Sequence, residues 1–116
     1  MVWNSETDRV DWKMIRQLES LRQALPELVE IFKADCPRRL NSLREALKSE
    51  NLSSSLALVH EITSASAYLG GLGIKQKGLE IRACVEHRDW SRAQVTAQEL
   101  EAECEFLIAS LSSRTF

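Results

Sequence analysis

Residues Leu52–Gly71 read LSSSLALVHEITSASAYLGG. The stretch lacks the apolar–polar alternation of a strand and closes on a glycine pair, so it is read as a helix with a left-handed ending at Gly70-Gly71. Wound at about 100° per residue, Leu52, Leu56, Val59, Ser66 and Leu69 fall on one broad side, with Ile62 and Thr63 at its margins. That side is expected to be buried. His60 lies about 100° round from Val59, on the shoulder that meets solvent. Its neighbours along that shoulder are Ser53, Ala57, Ser64 and Ala67, at offsets of −7, −3, +4 and +7, and all four are small. An imidazole in a shallow bed of small side chains is open to a partner that must come very close.

The flanking sequence supplies the rest of a helical bundle. Upstream, Val29, Phe32, Cys36, Leu40, Leu43 and Leu47 recur every three or four residues, predicting a helix from Pro26, which suits a first turn, to about Lys48. Pro37 lies in its middle and is expected to kink the helix or split it into two shorter ones. Before it, Asp11 can cap a first helix over roughly 12–23, carried by Met14, Ile15, Leu18 and Leu21. Residues 1–10 read as a polar lead-in, partly ordered by Trp3 and Val10, ahead of one domain over 11–112. Downstream, Gly73 allows a further bend. Ile74, Gly78, Ile81 and Val85 give the inner stripe of a fourth helix ending near His87. Asp89 can cap a fifth, in which Ala93, Ala97, Leu100, Cys104, Leu107 and Leu111 form a coiled-coil-like seam. Short turns make successive helices antiparallel neighbours. The expected fold is all-α: an antiparallel up-down four-helix bundle with an additional short N-terminal helix lying across one end.

Composition excludes several function classes. The 116 residues are 44% hydrophobic and 28% charged, with a net charge of −2 and both signs mixed along the chain. No basic stripe is present, so nucleic acid is not an expected partner. No apolar run approaches the ~20 residues of a membrane span. The N-terminal MVWNSETDRVDW has no hydrophobic leader region, and a cytoplasmic location is expected. Three widely spaced cysteines make no disulfide framework, and Cys36, Cys84 and Cys104 lack the close pairing of zinc ligands. All three adjoin apolar stripes and are read as buried thiols. His60 and His87 fall on different helices with no Glu-x-x-His partner, so no metal site is expected. The glycines of GGLG follow a helix and do not open one, so they do not cradle a phosphate. A Ser/His/Asp triad would need an oxyanion pocket that a small bundle does not offer. His60 is left as the candidate chemical group, because a neutral imidazole nitrogen carries a nucleophilic lone pair near pH 7.

At this point the residues resemble the histidine-containing phosphotransfer (HPt) family of multistep phosphorelays. That family's motif has a phospho-accepting His, an apolar residue at +2, Lys at +3, Gly at +4, small residues at +5 and +6, an apolar residue at +9 and Gly at +10. This chain has His60, Ile62, Thr63, Ser64, Ala65, Ser66, Leu69 and Gly70 in those places. The stretch IFKADCPRRLNSLREAL looks like the family's second helix, and the spacing of Ile74, Gly78 and Ile81 matches its fourth. The similarity covers roughly residues 11–111. Two departures stand out: the motif Lys is Thr63 and the motif Gly is Ser64. The Lys places positive charge near the incoming phosphoryl group. Two unit charges about 4 Å apart at an effective dielectric of about 20 interact by ~4 kcal/mol. The family also places a residue, commonly Gln, twelve after the +10 glycine to bond the imidazole or phosphoryl group. Arg82 occupies that position and would replace the missing charge.

The resemblance implies a phosphoryl carrier in which His60 takes the group from a receiver-domain aspartate of a response regulator or hybrid histidine kinase and passes it to another. Ser53, Ala57, Thr63, Ser64, Ala67, Gly70 and Arg82 would form the binding surface, with apolar contact from the first helix. It also implies no cofactor and no independent catalytic machinery, since metal and carboxylates belong to the receiver. The departures at Thr63 and Ser64 favour an alternative, a degenerate HPt-like module that docks a receiver or other signalling protein without carrying phosphate. A third alternative is a structural bundle in which a second copy packs over His60.

Overall fold

Four long amphipathic stripes can bury themselves only against one another, and they do so in chain order. The computed structural model describes residues 9–17 and 25–113. Within them lie α1 (Trp12–Gln17), α2 (Leu25–Lys48), α3 (Leu52–Ala67), α4 (Leu72–Glu86) and α5 (Trp90–Ser112). α2 packs on α3, α3 on α4, α4 on α5, and α5 closes back on α2. Three short turns join them, so neighbours run antiparallel and the fold is an up-down four-helix bundle. The anticipated seams are the core: Val29, Phe32, Cys36, Leu40, Leu43 and Leu47 of α2 and Ala93, Ala97, Leu100, Cys104, Leu107 and Leu111 of α5 are all buried. Trp3, Leu18 and Leu21, expected to help order the N-terminal region, lie outside the described residues, as does the stretch 18–23 of the expected first helix.

Capping residues set the helix ends. Asn51 accepts a hydrogen bond from the Ser54 amide at 3.0 Å and opens α3. Asp89 does the same for the Arg92 amide at 3.2 Å and opens α5. α3 ends in a turn where Gly70 has φ +71° and a side chain would bring its Cβ to 2.9 Å from the Asp11 carbonyl oxygen. That approach is used: the Asp11 amide donates to the Gly70 carbonyl at 2.7 Å, and Val10 bridges Gly71. Val10 and Ile15 are thereby sunk into the core, with Ile15 beside Gly70. α1 thus sits at the end of the bundle where α3 turns into α4.

Two expectations need correction. Pro37 does not split α2, which runs through it as one helix with Pro37 and Lys33 both on the exposed side. The Lys33 carbonyl, left without a helical donor by Pro37, therefore lies on the solvent side of the helix. At the end of the polar lead-in Val10 is ordered as expected, and Arg9 with it. Arg9 lies over the Phe106 ring, 3.6 Å from its centroid, and pairs with the buried Glu103 at 3.1 Å, while Val10 is 1% exposed. Gly73 makes no bend; it is buried inside α4, where a Cβ would collide with the Glu103 carboxylate.

Candidate functional site

α3 presents two faces, and the division differs from the one drawn from helical angles. Ser55, Val59, Ile62 and Ser66 are buried, whereas Leu52 and Leu56 are only half-buried. The inward arc is centred on Ile62 because α3 is packed by α2 on one side and α4 on the other. His60 remains on the outer shoulder and is exposed, as are Ser53, Ala57, Ser64 and Ala67.

A groove runs between α3 and α4 beneath His60. From α3 it is lined by Leu56, Ala57, Val59, His60, Thr63, Ser64 and Ala67, and from α4 by Lys75, Gly78, Leu79 and Arg82. The two helices approach closely at Gly78, where a Cβ would collide with the Thr63 Cγ2 methyl. Thr63 is turned inward by that contact. Its hydroxyl is also occupied, donating to the Val59 carbonyl at 3.0 Å and the His60 carbonyl at 3.1 Å. The His60 ring is oriented along the groove, with Nε2 3.4 Å from the Ser64 hydroxyl. When the ring proton is on Nδ1, Ser64 donates to the Nε2 lone pair over this long contact, and the hydroxyl must turn away before that nitrogen attacks.

Of the expected binding residues, Ala57, Thr63, Ser64, Ala67 and Arg82 share this groove with His60. Two do not. Ser53 is exposed but lies outside the lining, its hydroxyl bonded to Asn51 Oδ1 at 3.3 Å. Gly70 is buried beyond the end of α3 and shapes the turn on which Asp11 docks. Arg82 stands on the groove wall, with its Nε donating to Glu86 Oε1 at 2.8 Å. Lys75 and Leu79 were not anticipated. Leu79 is 53% exposed and forms an apolar lip. Lys75 is exposed and makes no ion pair or hydrogen bond among the described residues. The nearby Lys77 turns to the other side of α4. Burial alone would lower its pKa, but Glu80 at 3.1 Å and Glu99 at 3.5 Å outweigh that and hold it above the ordinary lysine value. A 3–4 spacing of Lys75, Leu79 and Arg82 on the outer side of α4 is present in the sequence, but it does not say which helix those residues face.

The thiols contribute nothing to this site. Cys36 and Cys104 are buried where α2 meets α5, and the hydrogen bond that the Cys104 thiol donates to Cys36, together with burial, pushes Cys104 far above its usual range and lowers Cys36. No group of three or more metal-ligating side chains occurs among the described residues. Among the described residues no helix is long and apolar enough to cross a membrane.

Comparison with known proteins agrees with this geometry. The family model of the Hpt domain matches residues 27–110. A search of curated proteins gave no match. Among solved structures, the chain is similar to the crystal structure of histidine-containing phosphotransfer protein B (HptB) from Pseudomonas aeruginosa PAO1. The TM-score is 0.80 at 19% sequence identity, covering 93% of this chain and 94% of that one. At that identity the structural likeness speaks for the fold, while the family match spans α2 to α5 and includes His60. The chain therefore belongs to the Hpt domain family.

Proposed function

We propose that this protein is a phosphoryl carrier of a two-component phosphorelay, with His60 as the acceptor. The reading rests on one observation: an exposed imidazole at the edge of a groove whose neighbouring side chains, Ala57, Ser64 and Ala67, leave room for another protein to approach. The donor is an aspartyl phosphate on a receiver domain of a response regulator or hybrid histidine kinase. The Nε2 lone pair of His60 attacks phosphorus in line with the carboxylate oxygen. An N–P bond forms, the P–O bond breaks, and the aspartate carboxylate leaves with the electron pair. The ring then releases its Nδ1 proton to water. The reverse sequence delivers the group to a second receiver. Such a step is mainly positioning and charge stabilisation, so a bundle with one nucleophile suffices. The protein is a carrier without catalytic machinery of its own.

The test is incubation with a phosphorylated receiver followed by assay for acid-labile label. Wild type is expected to take up label and His60→Gln to take up none; label retained by His60→Gln would end this reading. The inward-turned Thr63 favours a second reading, docking of a receiver without phosphate transfer. It predicts binding to the receiver, seen by calorimetry, with no label on wild type.

A further inference from the structure

Thr63 occupies the position where the family motif carries lysine, and its hydroxyl and methyl are both committed to the bundle. A phosphoryl group on His60 therefore meets no cation from α3. The groove holds two cations, Lys75 and Arg82, both on α4 and flanking the Thr63–Gly78 contact. They are not equivalent. Because α3 and α4 are antiparallel and meet at Thr63 and Gly78, residues following Thr63 face residues preceding Gly78. Ser64 and Ala67 thus lie toward Lys75. His60 Nε2 is turned toward Ser64, so a phosphoryl group built on it extends to the Lys75 end of the groove. By the same register Arg82 stands level with the His60 backbone, on the side away from Ser64, and its Nε is bonded to Glu86, one turn farther along α4. The Lys75 ammonium has no competing partner among the described residues.

We propose that Lys75 binds the phosphoryl oxygens at His60, supplying from α4 the charge that Thr63 cannot supply from α3. This rests on the reading of His60 as the acceptor. A lysine suits the task as a compact, flexible point charge, able to follow the phosphoryl group between donor and acceptor.

The experiment compares Lys75→Gln, Lys75→Arg and Arg82→Gln with two phosphoryl donors, a phosphorylated receiver and the small molecule phosphoramidate. Lys75→Gln is expected to label His60 about tenfold more slowly from both donors, equivalent to about 1.4 kcal/mol. Lys75→Arg recovers most of the rate, and Arg82→Gln loses less than Lys75→Gln. The melting temperature of Lys75→Gln should match wild type, because the side chain is exposed and makes no ion pair among the described residues. Labelling of Lys75→Gln within twofold of wild type from phosphoramidate overturns the assignment, including the case where only receiver-driven labelling slows, which would make Lys75 a docking residue. An equal or larger loss in Arg82→Gln transfers the role to Arg82. If wild type takes label from phosphoramidate in a Lys75-dependent way but none from the receiver, the relay reading falls and Lys75 stands. No label on wild type from either donor overturns both.

Discussion

Individual positions in this protein are constrained by what touches them more than by what they are. Gly70 was expected at the binding surface on the strength of its place in the motif. It is instead required by a positive φ and by the Asp11 backbone packed against it. Gly70→Ala should cost about 2 kcal/mol, combining left-handed strain on an L-residue with the displaced Asp11 contact, and urea unfolding monitored by circular dichroism measures it. The buried thiols give a second expectation. Cys104 is held as a thiol by Cys36 and by burial, and a thiol is a poor nucleophile beside its thiolate. The same hydrogen bond lowers the pKa of Cys36, so Cys36 is protected by burial alone, at 2% exposure; alkylation of both thiols by iodoacetamide should be negligible in the folded protein at neutral pH and complete in denaturant. His60 is the contrasting case: its exposure follows from its angle to Val59 and was legible before any coordinates.

Helix pairs carry the next level of specification. α3 and α4 meet where the Thr63 methyl fills the space that Gly78 leaves open. Gly78→Ala should be destabilising by roughly 1–2 kcal/mol, overpacking outweighing the better helix propensity of alanine. In a Thr63→Ser background, which removes the methyl and keeps the hydroxyl, the same substitution should be neutral or stabilising, and a double-mutant cycle reads the difference. On the opposite side of α4, Lys77 links to Glu80 and, across to α5, to Glu99. Its pKa is raised above 10.5 in the folded state, so its contribution is complete below that value and is lost as pH rises through the raised one. The stability difference between wild type and Lys77→Gln should be constant from roughly pH 6 to 9 and shrink above about pH 10.5. A helix read alone places Ile62 at the margin of the buried face of α3; packing from both α2 and α4 moves it to the centre, at 1% exposure.

The bundle as a whole is closed by residues far apart in sequence. Arg9 reaches Glu103 and Phe106, joining the segment before α1 to α5 and covering the carboxylate that Gly73 accommodates. Arg9→Ala would leave a buried carboxylate without its cation. A loss of about 1–2 kcal/mol is expected, less than for a fully buried pair because Arg9 keeps some solvent contact. Differential scanning calorimetry should show a lower melting temperature by roughly 5–10 °C. Nothing local marks Arg9 for this role, since it looks like one charge in a polar stretch.

From the linear chain one could already establish that this protein is helical, where α2 ends and α5 begins, which stripes of α2, α4 and α5 are buried, and that His60 projects outward. Each of these follows from local periodicity and capping, which act within one helix. That Lys75 shares a groove with His60 while Gly70 and Ser53 do not, and that Arg9 pairs with Glu103 and covers Phe106, emerged only once the helices were packed. Those relations depend on the register between antiparallel helices, set by contacts such as Thr63 against Gly78, and no single helix encodes the position of its neighbour.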